Sequence, residues 1–217
     1  MITIAVIDDQ RLVRHAISSR LKAVDDFSVI AEGESGEVAR EIAAEQHPQV
    51  MLMDLNMPGI GGIEATRRIA AAHAQVRIIG LSMYVKGPYP KWFLQAGGAG
   101  YVSKNAHTEE LVKAIRIVES GELYISPDVA NFLALNDSQR IVRNGIDDLS
   151  PREVQVMRLI CEGLNMDDIG GRLSLSAKTV AHHRRQLLAK LRVDNDVQLA
   201  RLAIDQGLVD MEATTGN

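Results

Sequence analysis

Short apolar runs alternate with helix-spaced segments through the first 122 residues, and this alternation limits the fold more than any other feature of the chain. The runs Ile2–Ile7, Val29–Ala31, Val50–Met53, Ile78–Ser82 and Gly100–Ser103 have strand length and the continuous hydrophobicity of strands buried on both faces. Between them, Leu12–Val24, Gly36–Gln46, Gly61–Ala72, Lys91–Gln95 and Thr108–Ser120 carry apolar residues at helical spacing. This pattern predicts an α/β unit, a five-stranded parallel sheet with helices on both faces. Chemistry in such sheets gathers in the crevice at the carboxyl ends of the strands. Pro58-Gly59 breaks the chain after the third strand, and Gly87-Pro88-Tyr89-Pro90 should delay the fourth helix until after Pro90.

Beyond residue 122 the pattern changes. A short helix is expected over Pro127–Leu135, followed by a polar linker from Asn136 to Asp148 that contains Asn144-Gly145. Ser150-Pro151-Arg152-Glu153 then supplies an N-cap serine, a proline at the first helical position and a capping-box glutamate. That helix should run to about Glu162 and stop at Gly163. Further helices are expected over Met166–Leu173, over Ala177–Leu191 behind a Ser176 cap, and from Asp196 to about Gln206, ending at Gly207. The expected divisions are 1–122, a linker with its short helix at 123–148, an all-α four-helix module at 149–210, and a tail at 211–217.

Composition excludes several classes. With 46% apolar and 24% charged residues among 217, the chain is neither disordered nor collagen-like. One cysteine, Cys161, cannot form an internal disulfide. No apolar run approaches the roughly 18 residues of a membrane span, and Ile2–Ile7 leads into Asp8-Asp9, unlike a signal peptide. A cytoplasmic location with no membrane partner is expected. The net charge of −4 is unevenly spread: residues 149–217 balance 9 Lys and Arg against 9 Asp and Glu. Within them, 176–192 holds Lys178, Arg184, Arg185, Lys190 and Arg192 with no acid, a segment suited to phosphates. Only 8 of the 217 residues are aromatic, which argues against single-strand binding by base stacking.

Four strand ends carry reactive groups: Asp8-Asp9 after the first, Asp54 after the third, Ser82 after the fourth and Lys104 after the fifth. Singly, each has an ordinary use as a cap, a turn or a surface lysine. Together at one edge of one sheet they form a pocket. Three converging carboxylates repel unless a cation is present, and Mg²⁺, a hard dication with oxygen ligands, suits them. The Asp54 carboxylate would attack phosphorus to give an acyl phosphate, with Lys104 neutralising one phosphoryl oxygen and the Ser82 hydroxyl donating to another.

On Asp8, Asp9, Asp54, Ser82, Tyr101 and Lys104, residues 1–122 resemble the receiver domain of two-component response regulators. The resemblance implies a flavodoxin-like doubly wound sheet with Asp54 as phosphoacceptor. It also implies Asp8, Asp9, Asp54 and the Asn56 backbone carbonyl as Mg²⁺ ligands, Ser82 and Tyr101 as switch residues, and a sensor histidine kinase as partner. Asn105 stands where many receivers have a proline. Residues 149–210 resemble the LuxR/NarL/FixJ helix-turn-helix domain on Leu149-Ser150-Pro151-Arg152-Glu153, Gly163, Ile169, Leu173, Ser176, Lys178-Thr179-Val180, His183 and Lys190-Leu191. The run Met57-Pro58-Gly59-Ile60-Gly61-Gly62-Ile63-Glu64-Ala65-Thr66-Arg67 looks more narrowly like GacA/UvrY/LetA-type global regulators. Together these imply a non-enzymatic transcription factor switched by phosphorylation.

The long helix agrees with that implication. Val180, Leu187 and Leu191 share one stripe, and Lys178, His182, Arg185 and Ala189 share the opposite one. A recognition helix presents its N-terminal half to the major groove of double-stranded DNA. Lys178, Ala181, His182 and Arg185, with Thr179 and Arg184 beside them, are therefore the DNA candidates. Two features depart from the family pattern. Gly170-Gly171 falls inside a helix, at about 1 kcal/mol each relative to alanine, and Ala181 replaces a frequent lysine. Weak single-module binding would favour a homodimer formed on phosphorylation, paired through Val197, Ala200, Ala203 and Ile204 of the last helix; the same residues suit the module's own core. Phosphate on Asp54 is expected to draw in Ser82 and let Tyr101 turn inward. The alternatives are a phosphorelay or protein-interaction output with a non-DNA-binding module, and a metal-dependent phosphohydrolase. The phosphohydrolase pattern needs a second acid two residues past Asp54, where this chain has Asn56.

Overall fold

The computed structural model describes residues 1–85, 87–138, 149–205 and 208–209, with side chains through 134 in the helix that ends at 138. The chain divides into two compact units, one built from Met1–Val85 and Tyr89–Ala134 and the other beginning at Leu135. No helix among the described residues is long and apolar enough to cross a membrane.

The first unit is a parallel sheet of six strands: β1 (Ile2–Ile7), β2 (Phe27–Gly33), β3 (Val50–Asp54), β4 (Arg77–Ser82), β5 (Gly100–Ser103) and β6 (Tyr124–Ile125). Their order is β2-β1-β3-β4-β5-β6. The sixth strand corrects the expected five. Tyr124 and Ile125 pair with Gly100 and Tyr101, and a two-residue strand is too short to show a period in the sequence. β2 is longer than its apolar centre because it lies at the sheet edge, where only part of it is buried.

The connecting helices are α1 (Arg11–Lys22), α2 (Gly36–Glu45), α3 (Gly61–Ala72), α4 (Tyr89–Gln95), α5 (Thr108–Glu119) and α6 (Pro127–Ser138). On one face, Ile4, Val6, Leu52, Ile79, Leu81 and Val102 pack with Leu21 of α1 and with Ala114, Ile115 and Val118 of α5. Each leucine, isoleucine and valine among them contributes about 1.5–3 kcal/mol by leaving water. On the other face, the Phe93 ring of α4 meets Tyr101 edge-on at 5.9 Å. α4 starts at Tyr89 rather than after Pro90, since a proline in the first helical turn has no N–H to satisfy. α6 extends past Leu135 into the expected linker; the rest of that linker, 139–148, lies outside the described residues.

The second unit holds α7 (Pro151–Cys161), α8 (Met166–Leu173), α9 (Ala177–Leu191) and α10 (Asp196–Asp205). The capping box is present: Ser150 Oγ accepts the Glu153 N–H, and Glu153 accepts the Ser150 N–H. Val154, Met157, Ile160, Ile169, Leu173, Val180, Leu187, Leu191 and Leu199 form a buried apolar set. The expected stop at Gln206-Gly207 and the tail at 211–217 lie outside the described residues.

Candidate functional site

Strand register brings the pocket together. Ile7 pairs with Met53, so Asp8, just past β1, stands beside Asp54 at the end of β3, where the strand order reverses and a crevice opens. Asp54 pairs with Leu81, and Ser82 pairs with Ser103, which sets Ser82 and Lys104 at the same edge. One carboxylate oxygen from each of Asp8, Asp9 and Asp54 lies within 4.8 Å of the others. Asp8 and Asp54 are 0% and 1% exposed, while Asp9 faces solvent. Lys104 Nζ lies 2.8 Å from Asp8 Oδ2 and 2.9 Å from Asp54 Oδ2.

Backbone groups aim the two buried acids. The Gln10 N–H donates to Asp8 Oδ1 at 2.9 Å, and the Asn56 N–H donates to Asp54 Oδ1 at 3.1 Å. The Arg14 guanidinium donates to the Asp8 carbonyl. Burial raises the Asp8 pKa above its ordinary value, Lys104 opposes this, and the Asp54 charge adds to it. Burial likewise raises that of Asp54 against the pull of Lys104 and the Asn56 N–H, with Asp9 adding to the rise. Burial alone would lower the Lys104 pKa, but the attraction of Asp54 and Asp8 leaves it raised. Asp8 Oδ2 is buried, and beyond its ion pair with Lys104 it has no hydrogen-bond partner among the described residues. Crowded carboxylates with a spare buried lone pair fit a hard dication with oxygen ligands.

Ser82 is buried and its Oγ accepts the Tyr84 N–H at 3.0 Å. The Tyr101 ring is buried, and its hydroxyl donates to the Tyr84 carbonyl at 2.7 Å. Burial pushes the Tyr101 pKa up, opposed by the neighbouring Ser82 hydroxyl. The inward ring expected to follow phosphorylation is therefore already the conformation here, fastened at Tyr84. Asn56 lies half-buried on the loop after β3.

Sequence reasoning missed the residues that frame the pocket. A Cβ at Gly62 would lie 2.0 Å from the Asp54 carbonyl oxygen, so α3 starts directly against the end of β3 only because residue 62 is glycine. Arg14, three residues after Arg11, gave no signal that it would donate to the Asp8 carbonyl. The Tyr84 backbone, which links Ser82 to Tyr101, has no signature in side-chain type at all.

In the second unit, Lys178, Ala181, His182 and Arg185 are exposed on α9, while Val180, Leu187 and Leu191 are buried. Thr179 is half-buried, with its N–H donated to Ser176 Oγ. Two of the five cations in 176–192 turn to their own module. Arg184 Nε lies 2.8 Å from Asp196 Oδ1, joining α9 to α10, and Lys190 Nζ lies 2.8 Å from the Glu153 carboxylate. Glu153 is buried; burial would raise its pKa, but Lys190 and the Ser150 bonds outweigh that and lower it.

The glycine pair of α8 separates into two cases. A Cβ on Gly170 would sit 2.7 Å from the Leu175 carbonyl oxygen, whereas one on Gly171 would meet nothing within 4 Å. Gly170 thus allows the tight turn that feeds α9, and Gly171 is replaceable. Along α10, Val197 is 79% exposed, Ala200 and Ile204 are half-buried, and Ala203 is buried at 1%. Ala203 therefore serves burial, and the predicted pairing stripe reduces to Val197 with the flanks of Ala200 and Ile204.

Known proteins match both units. Residues 4–116 match the response regulator receiver domain, and residues 147–203 match the bacterial regulatory proteins of the luxR family. The chain is 42% identical over 214 residues to the response regulator GacA of Pseudomonas viridiflava, covering 98% of this chain and 100% of that protein. It is 41% identical over 213 residues to the response regulator UvrY of Escherichia coli strain K12, covering 98% of each. It is also similar to the structure of RcsB from Salmonella enterica serovar Typhimurium bound to the promoter P1flhDC in the presence of the phosphomimetic BeF3−. That likeness has a TM-score of 0.69 at 26% identity and covers 92% of this chain and 96% of the other.

Proposed function

The chain belongs to the two-component response regulators with a LuxR-type output domain, phosphorylation-dependent DNA-binding regulators, and from that premise we propose that Asp54 is its phosphoacceptor, charged by a sensor histidine kinase. The observation that carries this is the single lysine, Lys104, bridging the buried Asp8 and Asp54 beside Asp9.

Lys104 opposes the rise that burial gives the Asp54 pKa and so favours its carboxylate form, and the Asn56 N–H on Oδ1 fixes its orientation. One carboxylate oxygen attacks phosphorus; the bond from phosphorus to the donor's imidazole nitrogen breaks, and the imidazole keeps the electron pair. Asp8, Asp9, Asp54 and the Asn56 carbonyl would hold Mg²⁺, which when bound supplies charge neutralisation for the transferring group. Lys104 balances the new phosphoryl charge. Ser82 donates to a phosphoryl oxygen; its Oγ also accepts the Tyr84 N–H, so its movement reaches the Tyr84 backbone, whose carbonyl holds Tyr101, and the segment after β4.

In the output module, Lys178, Ala181, His182 and Arg185 form the surface offered to double-stranded DNA, with Arg185 reading a guanine and Thr179 and Arg184 supporting the helix. Two modules joined on half-sites about one helical turn apart gain by effective concentration what each lacks alone. The exposed Val197, with Ala200 and Ile204, is the surface proposed for that pairing. Incubation of wild type and Asp54→Ala with a small acyl phosphate and Mg²⁺ tests the phosphoacceptor. Wild type should label and the variant should not; equal labelling would move the acceptor elsewhere. Sedimentation of phosphorylated wild type and Ala200→Glu tests the dimer, which the substitution should disrupt.

A further inference from the structure

The loop between β3 and α3 bears the Asn56 carbonyl, and it is pinned at both ends. At the first end the Gly62 N–H donates to the Leu55 carbonyl at 3.3 Å, and the Gly62 Cα lies tight against the Asp54 carbonyl. At the second end the Ile60 N–H donates to Glu37 Oε1 at 3.1 Å. Gly59, at φ +72, sits so close to that carboxylate that a Cβ would lie 2.7 and 2.8 Å from its two oxygens.

α3 has no cap of its own, since its N-cap position is Ile60, which offers no side-chain acceptor. Glu37, in the first turn of α2, supplies an acceptor from another helix, with a negative charge suited to a helix N-terminus. Its reach is set by the meeting of the two helices. A Cβ on Gly36 would lie 2.7 Å from Ile60 Cγ1 and 2.9 Å from Ala65 Cβ, so α2 touches the start of α3 there through a bare backbone.

We propose that Glu37 is a positioning residue: by holding the Ile60 N–H it fixes the β3–α3 loop, and through that loop the place of the Asn56 carbonyl in the oxygen set for a divalent cation. This rests on the reading of Asp8, Asp9, Asp54 and Asn56 as a Mg²⁺ site. Glu37 itself touches neither cation nor phosphoryl group. Its effect is on how much of the ligand geometry is formed before the cation arrives, as for other groups that orient metal ligands from behind.

The test uses the full-length protein as wild type, Glu37→Ala and Glu37→Gln. Mg²⁺ alone is titrated by calorimetry, and hydrogen exchange of the Ile60 amide is followed without metal. Glu37→Ala should weaken Mg²⁺ about 10-fold and speed Ile60 exchange. Glu37→Gln, whose amide oxygen still accepts, should recover most of both. Labelling by a small acyl phosphate should need correspondingly more Mg²⁺ in Glu37→Ala, with the rate at saturating Mg²⁺ unchanged. Wild-type Mg²⁺ affinity in Glu37→Ala would overturn this inference and leave the metal reading intact. So would a Glu37→Gln as weak as Glu37→Ala, because charge rather than the hydrogen bond would then be responsible. A wild type that binds no Mg²⁺ would overturn the metal reading and this inference with it.

Discussion

Lys104 Nζ lies 2.9 Å from Asp54 Oδ2, so the carboxylate proposed to receive a phosphoryl group is paired with a cation before it reacts. The same ammonium touches Asp8 at 2.8 Å. Removing it leaves two buried acids facing each other. Lys104→Ala should destabilise the metal-free protein by about 3 kcal/mol near neutral pH, the cost of breaking a buried pair on one side. The loss should shrink as pH falls, because both acids, whose pKa values already lie above normal, take up protons and lose their repulsion. Urea unfolding at pH 7.5 and 5.5 measures it; equal losses at the two pH values would contradict the electrostatic account.

The same raised pKa values fix the pH dependence of Mg²⁺ binding. A carboxyl with a raised folded-state pKa contributes stability that is present at low pH and lost as pH rises through that pKa. Asp8 and Asp54 therefore disfavour the metal-free fold on the neutral side, and Mg²⁺ should stabilise it most there. Below that range protons and Mg²⁺ compete for the same oxygens. The Mg²⁺-induced rise in melting temperature should grow from pH 5 to pH 8, starting to grow above the ordinary carboxylate range. A rise independent of pH would place the cation elsewhere.

The α8 glycines give a paired stability test. Gly171→Ala adds a Cβ into open space and should stabilise the protein by about 0.5–1 kcal/mol. Gly170→Ala drives a methyl against the Leu175 carbonyl and should destabilise it despite the better helix propensity of alanine. Denaturant midpoints decide the point, and the same sign for both substitutions would contradict the packing argument.

Adjacent arginines on α9 should separate in function. Arg185 is exposed, and its replacement by alanine should weaken operator binding by about 1–3 kcal/mol and relax preference at one base pair. Arg184 is tied to Asp196, so Arg184→Ala should cost stability, at most about 1 kcal/mol for a pair this exposed, with little change in base preference. Binding selections on randomised duplexes, run beside thermal unfolding, distinguish the two. Reversed roles would mean that α9 meets DNA through a different face.

The sequence carried the layout of strands, helices and strand-end acids because those signals are periodic or sit at fixed places. The runs that became β1, β3, β4 and β5 were continuous and buried on both faces, and the capping box at Ser150 and Glu153 is a local pattern. β6 was hidden because two residues have no period. The partners of Lys190 and Arg184 were hidden for another reason. A cation pointing at DNA and one pointing at Glu153 or Asp196 look alike along a chain, and only the packing of α7, α9 and α10 sorts them. Gly170 read as a helix weakener, and Gly62 only as part of a family-like run, until the backbone approaching each came into view. Ala203 fell inward because α10 buries one side of a stripe whose residues suited either pairing or the module's own core.

The central claim, that phosphate on Asp54 controls the affinity of the output module for DNA, is tested most directly by sequencing bound fragments. Genomic DNA is incubated with purified wild type and Asp54→Ala, each with and without a small acyl phosphate and Mg²⁺. For wild type, a defined set of fragments sharing a two-half-site sequence should become enriched on phosphorylation and fade as salt rises. Asp54→Ala should show no such gain. The same enrichment in Asp54→Ala, or none in wild type that is demonstrably phosphorylated, would contradict the account.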